Sequence, residues 1–346
     1  MTTTPSSMAS MSPLPVSCLI NAHNCLMGSR CYLGDTSISA NFEWVCEGQG
    51  HVLVCVPAMQ NDDPPTATGH DTSVDDNNVD SPGIPPTPLT PPTFLSAIVH
   101  IDQEDFWLTP DGRYQGPNGI WKEFLDVKPS CTLVNPGMEP VMSDFPVTLH
   151  MLQLFTQHCV TPSFSSGKSF FSSDEHGPSH FKLCHRLFKV GLHTVSIQKH
   201  YSWWLVLVQR IESDLDGKLT SQTSTSAAAT DPFSFELWPL TKERTHAELL
   251  ALKASHHILP LPMYDLAGNL IQPSAYCCSL QGAIMEVHFT LLHWGIASAK
   301  WDVYGGVIQL IHILVPPAPT LVTTRKRKLA LHIKDDDSPS RKTMKV

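Results

Sequence analysis

The stretch that most constrains the fold lies between residues 283 and 315, where two segments have clear strand character. Residues 283–291 alternate between apolar and polar side chains, a period of two that is typical of a half-buried strand. The apolar face consists of Ala283, Met285, Val287, Phe289 and Leu291. Residues 307–315 are apolar on both faces, which indicates a strand covered on both sides. Residues 295–300 are few enough for a tight connection, so the pattern predicts an antiparallel hairpin at the heart of a β-rich domain.

Further elements are predicted on the N-terminal side of this hairpin. The patterns favour strands at residues 15–20, 41–46, 51–56, 94–101, 203–208 and 233–240, and helices at residues 147–159 and 241–255. The second helix has Thr245 and Glu248 at the spacing of a capping box, and residues 265–269 are typical of a turn. The predicted fold class is therefore α+β and β-rich, with an antiparallel sheet or partial barrel and two or three helices.

Low-complexity segments divide the chain. Residues 61–93 contain eight prolines and six aspartates, a composition that leaves little apolar surface to bury. Disorder is expected at residues 1–13, in this linker, in a loop at 214–231 and in a tail at 318–346. The core domain then spans residues 94–317. A β-hairpin segment at 14–60 either adds strands to it or forms a small subdomain, and the first arrangement is preferred because about forty residues seldom make a stable core.

Composition excludes several classes of protein. A net charge of −9 argues against a general nucleic-acid coat, since phosphate binding requires a basic face. The first basic residue is Arg30, and Pro13 and Pro15 interrupt the early apolar run, which does not fit a secretory signal. The longest uncharged run, residues 303–324, contains glycines and prolines and has a strand-like pattern. We therefore expect no membrane partner.

The cysteine pattern is compared with that of a metal site. Five of the ten cysteines cluster early in the chain, at Cys18, Cys25, Cys31, Cys46 and Cys55. Structural zinc sites usually pair ligands two to four residues apart, and no CxxC occurs. The favoured interpretation is therefore a set of reduced, buried thiols, with zinc binding as the alternative.

Local catalytic motifs are missing. Residues 165–169 resemble the end of a phosphate-binding loop, but the position that requires glycine is Pro162. No GxSxG elbow occurs, and the eighteen histidines include no HExxH pattern. We therefore predict no catalytic, cofactor-binding or metal-binding residue and no cofactor. An enzyme or zinc protein of an unrecognised type is kept as an alternative.

Aromatic residues are concentrated in the central hairpin. Phe289, Trp294, Trp301 and Tyr304 lie in it or beside it. Small β-barrels that bind single strands stack bases on such side chains. Only Lys300 supplies a nearby positive charge, so core packing is favoured, and an OB-like single-stranded nucleic-acid binder is the alternative.

The C-terminal tail carries the most specific functional signal. Two basic clusters have the spacing of a bipartite nuclear-import signal, and they consist of Arg325, Lys326, Arg327, Lys328, Arg341 and Lys342. Proline follows each of the candidate phosphorylation sites Ser81, Thr87, Thr90 and Ser338. The leading hypothesis is therefore a non-enzymatic nuclear interaction protein that binds an import receptor, with a cytoplasmic location as the alternative.

Two segments resemble known sequences. They are NFEWVCEGQGHVLVCVP at residues 41–57 and HHILPLPMYDLAGNLIQPSAYCCSLQGAIMEVHFTLLHW at residues 256–294. Both are similar to uncharacterised hypothetical proteins that recur in many copies in mushroom-forming basidiomycete fungi. The resemblance implies a fungal chain associated with mobile elements, and it implies no activity, cofactor or site residue.

Overall fold

The computed structural model describes residues 13–56, 94–166, 170–172, 179–191 and 231–318. Within them the α-helices are α1 (Pro13–Met27), α2 (Val141–Gln157), α3 (Glu243–Leu252) and α4 (Tyr276–Leu280). The first strands are β1 (Phe42–Glu47), β2 (Gly50–Cys55), β3 (Leu95–Phe106), β4 (Ser130–Val134), β5 (Ser165–Ser166) and β6 (Phe171–Ser172). The others are β7 (His180–Cys184), β8 (Phe188–Val190), β9 (His256–Ile258), β10 (Met263–Tyr264), β11 (Ile284–Ile296) and β12 (Trp301–Val315).

Five of these strands form a barrel. Strand β3 pairs with β4, β4 with β7, β7 with β12, β12 with β11, and β11 again with β3. The β7–β12 pairing is parallel, and the other four are antiparallel. Around the barrel the order is β3, β4, β7, β12 and β11. If the five strands are numbered along the chain, this order is 1-2-3-5-4. This architecture confirms the predicted β-rich α+β class, with a barrel at its centre.

The predicted central hairpin is present and is longer than expected. Strands β11 and β12 pair antiparallel from Ile284 and Val315 to Ile296 and Trp301. The five side chains of the predicted apolar face are all 0% exposed. Alternation alone therefore identified the wall of the core.

The barrel closes at a glycine. Gly306 lies opposite Leu183 where β12 runs beside β7, and a Cβ atom on Gly306 would lie 2.2 Å from Leu183 Cδ2. Across the interior, the rings of Phe181 and Phe289 have centroids 6.1 Å apart. Glycine leaves room for these side chains to fill the narrow interior.

The hairpin predicted near residues 41–56 is present as β1 and β2. Strand β2 continues the sheet beyond β11, where Val52 pairs with Leu292 and His51 with His293. The Trp44 indole Nε1 donates a hydrogen bond to the Phe155 carbonyl oxygen at 3.0 Å. The hairpin therefore contacts both the barrel sheet and helix α2.

The strand predicted at residues 15–20 is wrong, because this segment lies in helix α1. Proline in the first turn of a helix lacks only an N–H that has no partner there, so the early prolines do not oppose a helix. Leu19 and Leu26 share one helical face, and they pack in a cluster with Ile98 and Leu314. Burial of this face against the barrel stabilises the helix.

Helix α2 begins six residues before the predicted start at residue 147. Pro146 lies inside it and cannot donate to the Met142 carbonyl oxygen. The Asn135 side-chain amide donates to that oxygen at 3.1 Å. A contact from outside the helix thus replaces the missing bond, and no local pattern could show this.

Two further predictions are corrected by the structure. The strand predicted at residues 233–240 is wrong, because residues 233–237 form turns and a bend and residues 238–240 are irregular. Trp238 is buried, and its Nε1 donates to the Pro110 carbonyl oxygen at 2.9 Å. Helix α3 is present, but its N-cap is Lys242 rather than Thr245. Buried Thr245 faces the core, so the capping-box interpretation is wrong.

The turn predicted at residues 265–269 is confirmed. The Asp265 amide donates to the Asn269 carbonyl oxygen at 3.0 Å, and the Asp265 carboxylate accepts from the amides of Ala267 and Asn269. The predicted strand at 203–208, the linker at 61–93 and residues 214–230 of the predicted loop lie outside the described residues. None of the helices in the described ranges is long and apolar enough to cross a membrane.

A buried histidine predicts how stability depends on pH. His185 lies inside the protein, and its Nε2 lies 2.7 Å from the Leu259 carbonyl oxygen. Burial lowers the pKa of His185 below the ordinary value of 6.5. Below that pH the unfolded chain binds a proton that the folded protein resists, so the free energy of unfolding should fall as pH decreases. Urea titrations at several pH values would measure this fall, and His185→Gln should make it shallower. An unchanged slope in that variant would contradict the assignment.

Candidate functional site

The tip of the β11–β12 hairpin exposes a group of large apolar side chains. Trp294, Ile296 and Trp301 are 36%, 37% and 51% exposed. Ile296 pairs with Trp301 across the two strands, and Trp294 lies two residues before Ile296. The three side chains therefore share one face of the hairpin. We call Trp294, Ile296 and Trp301 the hairpin-tip surface.

The neighbouring residues define the two faces of the hairpin tip. Lys300 has a positive φ of 53° at the end of the turn and is exposed next to Trp301. The Trp294 ring lies over Gly305, where a Cβ atom would approach its Cη2 to 3.3 Å. On the opposite face, Phe164 covers Gly295. The tip thus has one covered face, one aromatic face open to solvent, and a cation at its turn.

The loop of residues 107–129, between β3 and β4, places a second aromatic ring beside a cation. The Arg113 guanidinium carbon lies 5.3 Å from the centroid of the Trp107 ring, within the range of cation–π attraction. The Trp107 indole Nε1 donates to Asp105 Oδ1 at 2.9 Å. Asp105 also accepts from the Thr132 hydroxyl at 2.7 Å and forms an ion pair with Lys182. The ring and both cations are thereby held against the outer face of β4 and β7.

The charge of Asp105 supports this arrangement. Burial acts to raise the pKa of the Asp105 carboxyl, but hydrogen bonds from Lys182 and Thr132 outweigh it, and the pKa is lowered. Lys128 and Arg186 are also exposed and lie near Cys184. Burial raises the pKa of the Cys184 thiol, and the two positive charges oppose this rise. Several cations therefore line the ends of β4 and β7 that face the 107–129 loop.

A cluster of polar side chains centred on buried His293 lies beneath the hairpin tip. His293 Nδ1 lies 3.1 Å from His51 Nδ1 and 3.2 Å from Cys159 Sγ. On the other side of the ring, His293 Nε2 lies 3.0 Å from Asp302 Oδ1. His293 and Asp302 are 2% and 1% exposed. We call His51, Cys159 and His293 the histidine–cysteine cluster.

Neighbouring groups fix the geometry of this cluster. The Thr161 amide donates to Asp302 Oδ2 at 2.9 Å, and the Tyr304 hydroxyl donates to the Cys159 carbonyl oxygen at 2.5 Å. The Tyr304 and His293 rings have centroids 4.8 Å apart, and Trp44 approaches His293 edge-on at 6.1 Å. The His293 ring is therefore held by both aromatic contacts and hydrogen bonds.

The row Cys159, His293 and Asp302 has the order of a nucleophile, a base and an orienting acid. Its electrostatics oppose that role. Burial, followed by the Asp302 carboxylate, raises the pKa of the Cys159 thiol. Cys159 also lies two residues after the C-terminal end of α2, where the helix dipole disfavours a thiolate. The arrangement does not favour cysteine nucleophilic catalysis.

The aromatic residues that the sequence analysis named differ in their exposure. Phe289 and Tyr304 are buried, whereas Trp294 and Trp301 are exposed. The five early cysteines are all described and carry free thiols, but their predicted burial is wrong, since three are exposed and Cys31 and Cys55 are half-buried. Burial, with a smaller effect of nearby Cys55, raises the pKa of Cys31 to about 12. The import candidates Arg325, Lys326, Arg327, Lys328, Arg341 and Lys342 and the phosphorylation candidates Ser81, Thr87, Thr90 and Ser338 lie outside the described residues.

Sequence reasoning missed the histidine–cysteine cluster because its members are far apart in the chain. Cys159 and His293 are separated by 134 residues, and His51 and His293 by 242. One signal was present: His293 continues the odd-numbered apolar face of β11, which runs through Leu291. A histidine at that register is expected to point inward.

Comparisons with known proteins give little. No protein-family model and no curated protein matches the sequence. Among solved structures, the chain is similar to gp2.5, a single-stranded DNA binding protein encoded by bacteriophage T7, with 12% identity and a TM-score of 0.33. The match covers 72% of this chain and 99% of that one. A likeness of this size carries no argument about this chain.

Proposed function

We propose that this protein binds single-stranded nucleic acid through the outer surface of its barrel. The observation that carries the proposal is the pair of exposed tryptophans on the hairpin between the last two barrel strands. Bases of every kind have a flat π-face, so aromatic rings open to solvent bind single strands with little sequence preference. Core packing accounts for Phe289 and Tyr304, but it does not account for Trp294 and Trp301.

The architecture supports this proposal. OB-type barrels have five strands, and they bind oligonucleotides on the face of the second and third strands and on the loops after the first and fourth. Here those positions are the β4–β7 face, the 107–129 loop and the β11–β12 turn. They carry Lys182, Trp107 with Arg113, and Lys300 with Trp301. Each position thus offers a cation, and two also offer an aromatic ring.

The charge of the whole chain limits the electrostatic contribution. With a net charge of −9, binding should depend on stacking and on a few local cations rather than on a general positive field. If three cations contact phosphates, the logarithm of the affinity should fall with the logarithm of salt concentration with a slope of about −2.

A titration of labelled oligothymidylate, followed by fluorescence anisotropy, tests the proposal. A length of about 16 nucleotides is sufficient for one barrel of this type. We expect binding to this strand with the shallow salt dependence given above, and weaker binding to a duplex of equal length, whose bases are not open for stacking. Equal affinity for both would indicate phosphate contacts alone, and an absence of binding at low salt would overturn the proposal.

We also propose, from the sequence of the tail alone, that the protein enters the nucleus. Two basic clusters separated by twelve residues would occupy two acidic grooves of an import receptor. A fluorescent fusion should lose nuclear accumulation when residues 324–346 are removed. Alanine at Arg341 and Lys342 should reduce accumulation, because only the first cluster then remains. An identical distribution of the full and truncated chains would contradict this proposal.

A further inference from the structure

We propose that His51, Cys159 and His293 bind a zinc ion, with Cys46 as the fourth ligand. The three donor atoms His51 Nδ1, Cys159 Sγ and His293 Nδ1 all lie within 4.8 Å of one another. Zinc bonds of about 2.0–2.3 Å in a tetrahedron place neighbouring donor atoms about 3.3–3.7 Å apart. The contacts of 3.1 Å and 3.2 Å around His293 Nδ1 are close to that spacing.

Simple hydrogen bonds cannot account for both close contacts of His293 Nδ1. Its Nε2–H donates to the Asp302 carboxylate, so in a neutral ring Nδ1 carries one lone pair and no hydrogen. That lone pair can accept from His51 Nδ1 or from Cys159 Sγ, but not from both. A protonated ring has the same limit, because Nδ1 then has one hydrogen to donate. A metal ion placed among the three atoms would accept one lone pair from each of them.

Asp302 has the position of a group that orients a metal ligand. Metal-binding histidines usually donate the second ring N–H to a carboxylate, which fixes the tautomer and raises the basicity of the other nitrogen. Asp302 accepts from His293 Nε2 and from the Thr161 amide, and it is 1% exposed. With Nε2–H bound to Asp302, the lone pair of His293 Nδ1 faces the other two ligand atoms and is available to a metal ion.

Cys46 is the candidate fourth ligand, although its Sγ is not among the donor atoms that lie within 4.8 Å of one another. It lies directly opposite His51 in the β1–β2 pairing, so both side chains share one face of that hairpin. Cys46 is exposed, so a rotation of its side chain meets no packed core. Two imidazoles and two thiolates form a common structural zinc set.

Such an ion would join three parts of the chain that are distant in sequence. It would tie β2, the end of α2 and β11 together beneath the hairpin tip. His293 precedes Trp294, and Asp302 follows Trp301, so the ion would hold the base of the hairpin-tip surface in place. The inference does not depend on nucleic-acid binding, since metal content is measured without any oligonucleotide.

Elemental analysis of untagged, purified protein is the first test, and it should show stoichiometric zinc that a strong chelator removes. Cobalt(II) added to the chelated protein should produce the absorption of a tetrahedral thiolate site. His293→Ala and Cys159→Ser should lose the metal, whereas Cys278→Ser and His288→Ala should retain it as matched controls. Asp302→Asn should weaken zinc affinity about 10- to 100-fold.

The Cys46→Ser variant changes an exposed residue, so it can still test the site if variants inside the cluster fail to fold. Its circular dichroism spectrum should match that of the parent. Its cobalt complex should show weaker thiolate absorption, because one of the two thiolate ligands is missing. A cobalt spectrum identical to that of the parent would remove Cys46 from the site. Absence of zinc in the purified protein, together with no cobalt absorption in the folded parent, would overturn the whole inference.

Discussion

Replacing Trp294 and Trp301 together with alanine is expected to weaken oligothymidylate binding by roughly 30-fold or more, since each stacked base is worth about 1–3 kcal/mol. Both rings are on the exposed face of the β11–β12 tip. Their removal should lower the free energy of unfolding by less than the loss of a fully buried ring, because both side chains are partly exposed and only Trp294 is seen to pack on Gly305. Affinity and stability should therefore respond separately.

The measurement is fluorescence anisotropy on the parent, on each single variant and on the double variant. Leu266→Ala is a suitable control, since Leu266 is 53% exposed and lies in the turn at residues 265–269. It should bind like the parent. A double variant that is folded and binds with parental affinity would exclude the hairpin-tip surface as the stacking platform. Trp107 with Arg113 would then remain as the candidate platform.

Replacing Phe289 with alanine is expected to lower the free energy of unfolding by about 3–5 kcal/mol. Phe289 is 0% exposed inside the barrel, next to Phe181 and close to the glycine that allows β12 to approach β7. Loss of the ring would leave a cavity between strands that cannot collapse without breaking their pairing. The effect should be large because the barrel has few other ways to fill its interior.

Urea denaturation would measure this change, with Phe289→Leu and Trp301→Ala as matched variants. Leucine keeps most of the volume and should cost less than alanine. Trp301 is also a large aromatic of the same hairpin, but it is 51% exposed, so its loss should change stability little. A loss below about 1.5 kcal/mol for Phe289→Ala would mean that the barrel interior relaxes around the gap.

Short-range pattern was sufficient where one strand or helix buries a regular face. Alternation at residues 283–291 identified the inner wall of β11, and the β1–β2 hairpin followed from its two apolar segments. The pattern failed where a partner outside the segment decided the outcome. Asn135 completes α2 around Pro146, and packing against Ile98 and Leu314 stabilises α1.

What the sequence by itself determined is the β-rich class, the central hairpin and the faces that the core covers, because the period of two is a property of neighbouring residues. Only the tertiary structure decided that β12 meets β7 at Gly306, so that the sheet closes into a barrel. It also decided which aromatics stay exposed, and that His51 and Cys159 meet His293. These contacts join residues more than a hundred positions apart. Spacing along the chain carries no information about such distances, which depend on how the whole sheet twists and closes.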